Sequence, residues 1–376
     1  MMAAQATVGT ERVPFVDLTT IHASLKDVVL DDIAQLIDSG AFTLGPAVAS
    51  FEKAFAEYCG SAECVGVASG LDALRLALLA GGIEPGDEVI VPAQTFVATF
   101  EAVTQAGGTP VVVDVDPADY CLDAAALEAA VTPRTRVVVP VHLYGQLADM
   151  RSLLVLADRY GLTVIEDACQ AHGARRDGYG AGELATAAFS FFPAKNLGAF
   201  GDAGALTTQD PELAVRVRAL REHGQETKYV HMSEGYTARL DALQALVLAR
   251  KLRHLDAWND QRRSVARMYW EALHGVGDLE LPPVPDGSEP VWHLYVVRTG
   301  APDDLAAFLH THRIASGRHY PVPPHLSAAY ERLGYGEGAF PVAEAISREG
   351  ISLPIFPGIT ESQVSRVVEA VRAYFL

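Results

Sequence analysis

Between about residues 60 and 210, short apolar runs alternate with stretches in which apolar residues recur at helical spacing. The apolar runs predict strands at Glu63–Val67, Glu88–Val91, Val111–Asp114, Val137–Val141, Leu162–Glu166, Ala187–Phe191 and Gly204–Thr208. Most are rich in valine and apolar on both faces, as strands buried between two helix layers should be. The spacing predicts helices over Leu71–Ala80, Thr95–Gln105, Asp123–Ala130 and Asp149–Tyr160. Such alternation predicts an α/β fold with a large, mostly parallel sheet covered on both sides. After Pro211 the helical patterns lengthen, and Ala238–Ala272 keeps Leu240, Leu243, Leu246, Val247, Leu252, Leu255 and Trp258 at helical spacing. A proline-rich connector, Leu281–Pro290, precedes a strand at Val291–Arg298, a helix at Pro302–His312 and a closing helix at Thr360–Tyr374. The pattern divides the chain into a large domain over 13–255 and a smaller α+β domain over 256–376. Residues 1–12 read as a floppy leader.

Charge narrows the function classes. Lys plus Arg is 29 and Asp plus Glu is 47, so the net charge is 29 − 47 = −18. A chain this acidic repels polyanions, which argues against binding DNA or RNA, although a local basic pocket can still take a small anion. The four cysteines, Cys59, Cys64, Cys121 and Cys169, show no C-x-x-C spacing, so neither a zinc site nor a disulfide framework is expected. Met1 to Arg12 has no apolar core of signal-peptide type, and no apolar run approaches the roughly 18 residues of a membrane helix. A soluble, cytoplasmic protein without metal is the expectation.

Four stretches carry candidate chemistry, each at the end of a predicted strand. In Phe189–Gly204, Lys195 follows a strand that ends in aromatic residues, and Gly198, Gly201 and Gly204 come after it. Desolvation there would lower the lysine pKa and make a nucleophilic amine, as a Schiff-base lysine requires. A snorkelling lysine beside a glycine turn fits the same letters. Asp167 closes the run Val164-Ile165-Glu166-Asp167, on the side where open α/β sheets bind ligands. A carboxylate there suits a pyridinium nitrogen, and equally suits a helix N-cap. Ser69-Gly70-Leu71 leads from a strand into a helix whose first N–H groups could cup a phosphate, with Ser190 adding a hydroxyl. Phe96, in Pro92-Ala93-Gln94-Thr95-Phe96, could lie on a cofactor ring or pack in the core.

Together, S-G-L-D-A-L, P-A-Q-T-F, E-D-A-C-Q-A-H-G-A and F-S-F-F-P-A-K-N-L-G-A-F-G-D-A-G resemble the sugar aminotransferases of the DegT/DnrJ/EryC1/StrS family, over nearly the whole chain. The resemblance implies the pyridoxal 5'-phosphate (PLP) dependent transferase fold of aspartate aminotransferase type, fold type I. It also implies a homodimer with active sites shared between subunits. Carried over, Lys195 would be the Schiff-base lysine, Asp167 the partner of the pyridine nitrogen, Gln170 that of the ring oxygen, and Phe96 the stacking ring. Ser69, Gly70, Leu71 and Ser190 would hold the phosphate. Family members usually read G-Y-N-x-R-L-D where this chain has Gly235-Tyr236-Thr237-Ala238-Arg239-Leu240-Asp241. Thr237 keeps a hydroxyl but loses the reach of asparagine toward the neighbouring subunit's cofactor.

The cations gather in Arg221–His231 and Arg318–His325, regions that approach the substrate in the family. Lys228, His231, Arg239, His319, Tyr320 and His325 are therefore expected to line a nucleotide-sugar site. The expected reaction moves an amino group from L-glutamate to a TDP-linked keto-6-deoxyhexose. The wording of the motifs favours a 3-keto over a 4-keto sugar. A related sugar dehydratase would have histidine at position 195. A non-catalytic regulatory relative would not need Lys195, Asp167 and Gln170 intact. A nicotinamide-dependent enzyme would need a G-x-G-x-x-G turn, which Gly178-Tyr179-Gly180-Ala181-Gly182 does not provide.

Overall fold

The computed structural model describes residues 12–376, so all but the last residue of the expected leader lies outside the described residues. Seven strands form the main sheet: β1 Glu63–Val67, β2 Glu88–Pro92, β3 Thr109–Val113, β4 Thr135–Val138, β5 Thr163–Asp167, β6 Thr186–Ser190 and β7 Gly204–Thr208. Their order across the sheet is β1-β7-β6-β5-β4-β2-β3. Only β7 runs against its neighbours; β2 to β6 pair in parallel. The exception has a plain cause. No helix crosses over between β6 and β7, so the chain turns back at the same edge and the returning strand must be antiparallel. That turn contains Lys195.

Alternate residues of each strand enter two cores. Cys64, Ile90, Val138, Val164 and Phe189 join one, and Val65, Val67, Val91, Val137, Ile165 and Leu206 the other. Helices Gly45–Cys59, Met150–Tyr160 and Ala242–Leu252 cover the first face, and Gly70–Ala80, Val97–Gln105 and Pro211–Leu220 the second. The two-sided burial explains the near-continuous apolar runs. A third core gathers Val265, Tyr269, Leu273, Tyr295, Val297, Leu305, Ile351, Val364 and Val367 around strands β8 Tyr295–Arg298 and β9 Gly350–Leu353. We propose the division of the chain near residue 255 on the basis of this separate core.

The patterned stretch Ala238–Ala272 is not one helix. Residues 238–241 are extended, and the helices Ala242–Leu252 and Leu255–Leu273 are separated by Arg253 and His254. Neither glycine nor proline marks the break. Leu248 before it and Leu255 just after it belong to the first core, and farther along the second helix Val265 and Tyr269 belong to the third. Apolar periodicity reports the buried face of a helix, not the direction of its axis. The strand expected from Val291 begins only at Tyr295, because the Val291 and Leu294 N–H groups bond to the Gly145 and Tyr144 carbonyls (2.9 and 3.3 Å). Among the described residues, no helix is long and apolar enough to cross a membrane.

Candidate active site

The C-terminal ends of β1, β2, β5 and β6 collect the chemistry on one edge of the sheet, where parallel strands present ligands to helix N-termini. After β1, Ser69 caps the helix Gly70–Ala80, its Oγ accepting from the Asp72 N–H at 3.0 Å. The backbone here is pressed against its neighbours. A β-carbon on Gly70 would lie 2.6 Å from Cys169 Sγ and 2.7 Å from Ser190 Cβ. One on Gly204, paired with both Val67 and Ser190, would lie 2.3 Å from the Ser69 carbonyl. Only glycine permits this approach, which brings Ser69, Gly70 and Ser190 to one small cradle at a helix N-terminus. Free N–H groups and the positive end of the helix dipole suit a phosphate there. Leu71 is half-buried in the first turn.

Asp167 is buried at the end of β5. Its Oδ2 accepts from Thr99 Oγ1 at 2.8 Å and its Oδ1 from the Cys169 N–H at 3.2 Å. Thr99 Oγ1 lies 2.7 Å from Thr95 Oγ1, so the carboxylate is held by one hydroxyl of the helix after β2, which a second hydroxyl just before that helix fixes in turn. Gln170 accepts from the Tyr144 N–H at 2.8 Å through Oε1, and its Nε2 donates to the Tyr320 hydroxyl at 3.2 Å. The Tyr320 ring stands 5.2 Å from that of Phe96, which is 49% exposed and so has a face open for stacking. Asp167, Gln170, Tyr320 and Phe96 thus form one contiguous group.

Lys195 lies in the turn between β6 and β7. Burial pushes its pKa down, against the pull of Cys169 and Asp167 toward the charged form. Three histidines nearby are held neutral, among them His293, which burial and then the Lys195 charge push well below its ordinary value. Burial first, and then the Lys195 charge, lowers His172 to about 3 and His319 to about 4. His172 packs against Phe189 and Phe191 with ring centroids at 5.5 and 5.6 Å. His319 Nδ1 lies 2.8 Å from Ser352 Oγ, and its ring stacks on Phe15.

The remaining expected residues divide. Residues 237–241 run beside the end of β1, with the Ala68 N–H on the Ala238 carbonyl at 3.1 Å and Arg239 bridged to Val67. Arg239 lies 3.8 Å from Glu222, and exposed Thr237 has its Oγ1 3.3 Å from His223 Nε2. Lys228 and His231 are exposed on the hairpin Gln225–Thr227/Val230–His231. His325 is a correction. It is 1% exposed, with Nε2 3.4 Å from Glu344 Oε1 and its ring edge-on to Phe340. The short 3-10 turn Pro324–Leu326 aims it into the protein, so it offers no face to a substrate.

Several residues at the site escaped the motif reading. Thr99 and Tyr144 support Asp167 and Gln170. Gln244, Lys251 and Asn259 brace the Lys195 loop from the helices 242–252 and 255–273. The Phe200 N–H donates to Gln244 Oε1 at 2.8 Å, Lys251 Nζ donates to the Gly198 carbonyl, and Asn259 Oδ1 accepts from Asn196 Nδ2 at 2.9 Å. Their signal in the sequence was weak: polar letters inside an amphipathic helical pattern, which normally mark the solvent face. Among the described residues, no three His, Cys, Asp or Glu side chains cluster as metal ligands.

The model of the DegT/DnrJ/EryC1/StrS aminotransferase family matches residues 24–372. The chain belongs to that family. It is 49% identical over 367 residues to the dTDP-3-amino-3,4,6-trideoxy-alpha-D-glucose transaminase of Streptomyces venezuelae, covering 97% of each chain. Among solved structures it resembles S. venezuelae DesV in complex with a ketimine intermediate, with a TM-score of 0.96 and 48% identity over 97% of this chain and 99% of that one. It also resembles NtdA from Bacillus subtilis with the bound cofactor PMP, with a TM-score of 0.90 and 31% identity over 99% of this chain and 87% of that one. The protein is a PLP-dependent aminotransferase with the fold of these enzymes. Its own residues fit the cofactor: a cradle that a β-carbon would fill, a carboxylate locked at a strand end, an exposed aromatic face and a desolvated amine.

Two expectations follow from this geometry. Gly204→Ala should push the Ser69–Gly70 peptide away from β7 and weaken PLP binding about tenfold or more, equivalent to about 1.4 kcal/mol. Spectrophotometric titration of the cofactor-free protein checks this; unchanged affinity would show that the cradle does not hold the phosphate. Lys195→Met should stabilise the cofactor-free protein, because it removes a desolvated ammonium. A lysine whose folded pKa is depressed costs stability below that value, and the cost vanishes as pH rises past the 10.5 of free lysine. The gain in thermal midpoint should therefore be largest near neutrality and shrink toward pH 10.5, as scanning calorimetry across pH would reveal.

Proposed function

We propose that this aminotransferase moves the amino group of L-glutamate to C3 of a TDP-linked 3-keto-6-deoxyhexose in amino-deoxysugar biosynthesis. It would work in the cytoplasm as a homodimer with shared sites. The observation that carries the reaction type is the convergence of Lys195, Asp167, Gln170, Phe96 and the Gly70 cradle on one edge of the sheet. The substrate class is supported by the S. venezuelae relative, whose name places the amine at C3 of a dTDP-deoxysugar.

Ser69, Gly70, Leu71 and Ser190 would hold the cofactor phosphate, Asp167 the ring nitrogen, Gln170 the ring oxygen and Phe96 one face of the ring. Bound there, PLP supplies an electron sink for negative charge at the carbon that loses a proton. Asp167, locked by Thr99 and Cys169, would keep its carboxylate on the ring nitrogen without reorganising. Lys195 would anchor the cofactor covalently through Nζ. As a free amine, the same Nζ would take the proton from the donor's α-carbon and give that proton back within the site. The depressed pKa of Lys195 favours the neutral, proton-accepting amine. Phe96 and Tyr320 would shield this transfer from water.

Lys228, His231 and Arg239 would meet the diphosphate of the sugar nucleotide, and Thr237, shorter than the usual asparagine, would offer only its hydroxyl toward the neighbouring subunit's cofactor phosphate. His319 and Tyr320 would contact the sugar. With its pKa near 4, His319 would serve as a neutral hydrogen-bonding partner rather than a cation. The two half-reactions pass the amino group through the enzyme, so the kinetics should be ping-pong.

The test is incubation of the enzyme with glutamate and a panel of TDP-3-keto and TDP-4-keto sugars, with products identified by NMR. An amine at C3, absent with Lys195→Ala, is expected; product from the 4-keto sugars alone would overturn the C3 reading. Shared sites predict complementation between two inactive variants. Mixing Lys195→Ala with Arg239→Ala under conditions of subunit exchange should restore about a quarter of wild-type activity, because roughly half the dimers carry one intact site. A dead mixture despite demonstrated exchange would place both residues in one chain's site.

A further inference from the structure

Asn259 lies in the helix Leu255–Leu273, is 1% exposed, and its side chain hydrogen-bonds to Asn196 and His172 rather than to the residues assigned to the cofactor. Its carboxamide nevertheless spans the two segments that carry them. Nδ2 donates to the His172 carbonyl at 2.9 Å, on the segment that begins with Asp167 and Gln170. Oδ1 accepts from Asn196 Nδ2 at 2.9 Å, and Asn196 is the neighbour of Lys195. The Asn196 amide is itself held at both ends: Nδ2 also donates to the Val291 carbonyl at 2.9 Å, and Oδ1 lies 3.2 Å from His293 Nδ1. The fit around Asn259 is tight, because a β-carbon on Gly173 would lie 3.0 Å from its Nδ2 and 2.2 Å from the Tyr58 hydroxyl.

We propose that Asn259 is a positioning residue that sets the spacing between Asp167 and Lys195. The proposal rests on the roles of those two residues given above. A catalytic carboxylate and amine must be held within about half an ångström of their working positions, which requires a rigid support behind them. β5 and β6 pair in register, with Asp167 opposite Ala188, but both functional side chains lie at or beyond the ends of that ladder. Past it, the strand pairing no longer fixes the distance between the two segments. One primary amide, donating to one segment and accepting from the other, does. No aliphatic side chain can do both, and a carboxylate would set an oxygen against the His172 carbonyl.

The test uses the PLP-loaded enzyme and compares Asn259→Leu and Asn259→Asp with Val265→Ala. Val265 is a third-core residue of the same helix, so its truncation reports plain loss of stability. Loosening the Asp167 segment lets the ring nitrogen withdraw less charge from the nitrogen of Lys195. The pH midpoint of the visible absorption band should therefore rise by about one unit in both Asn259 variants. Their kcat should fall about tenfold with little change in KM for the donor. Val265→Ala should lower the thermal midpoint without moving either quantity. If Asn259→Leu does not fold, Asn259→Asp, which keeps the size and the acceptor, carries the comparison. A band midpoint and kcat equal to those of Val265→Ala would overturn the proposal. Borohydride reduction of the wild-type enzyme separates the two ideas: a label on a lysine other than Lys195 would instead overturn the assignment on which the proposal rests.

Discussion

Three strand ends approach so closely at the sheet's C-terminal edge that neither Gly70 nor Gly204 can carry a β-carbon. The rest of the site follows from that contact. It turns the first N–H groups of the helix Gly70–Ala80 toward a common point, brings Ser190 beside them, and starts the turn in which Lys195 is buried. The antiparallel return of β7 is what makes the contact available. A crossover helix after β6 would have carried the chain away and left the cradle without its third wall.

Burying an amine and a carboxylate at one edge is unfavourable unless both are supported. The support is polar and comes from elements remote in sequence. Thr99 and the Cys169 N–H hold Asp167, Tyr144 and Tyr320 hold Gln170, and Gln244, Lys251 and Asn259 hold the Lys195 turn. The low dielectric that depresses the lysine pKa also makes those hydrogen bonds strong.

The seven main strands and the helices between them were legible because two-sided burial writes a distinctive pattern: valine-rich, apolar throughout and punctuated by helical spacing. Lys195, Asp167, Ser69 and Phe96 could be singled out as candidates because each follows a strand end, next to a recognisable change of pattern, whereas Gln170 came only from the family resemblance. The residues behind them could not. Asn259 and Lys251 look like solvent-facing letters of an amphipathic helix, and only the fold reveals that they face inward. The same limit produced the misreading of His325, which follows Pro323-Pro324 in a basic stretch and resembles a loop residue free to meet substrate. Its orientation is set by Glu344, nineteen residues away, whose carboxylate also accepts the Gly338 and Phe340 N–H groups (2.8 and 3.0 Å). The break after Leu252 was equally silent, because a change in helix axis leaves the spacing of apolar residues intact.

The pairing of Ser190 with Gly204 has a further consequence. It closes the Lys195 turn into a loop stapled at both ends to the same sheet. An amine on a free tail would wander after leaving the cofactor, whereas one inside a short, anchored loop stays within a small volume. In the role proposed for Lys195, its departure and return would be unimolecular events with a high effective concentration, and well-oriented intramolecular groups reach about 10⁵ M or more. Strand register, usually regarded as a matter of folding, would then be a kinetic parameter: under the proposed role of Lys195 it would set how quickly the lysine regains the cofactor between turnovers.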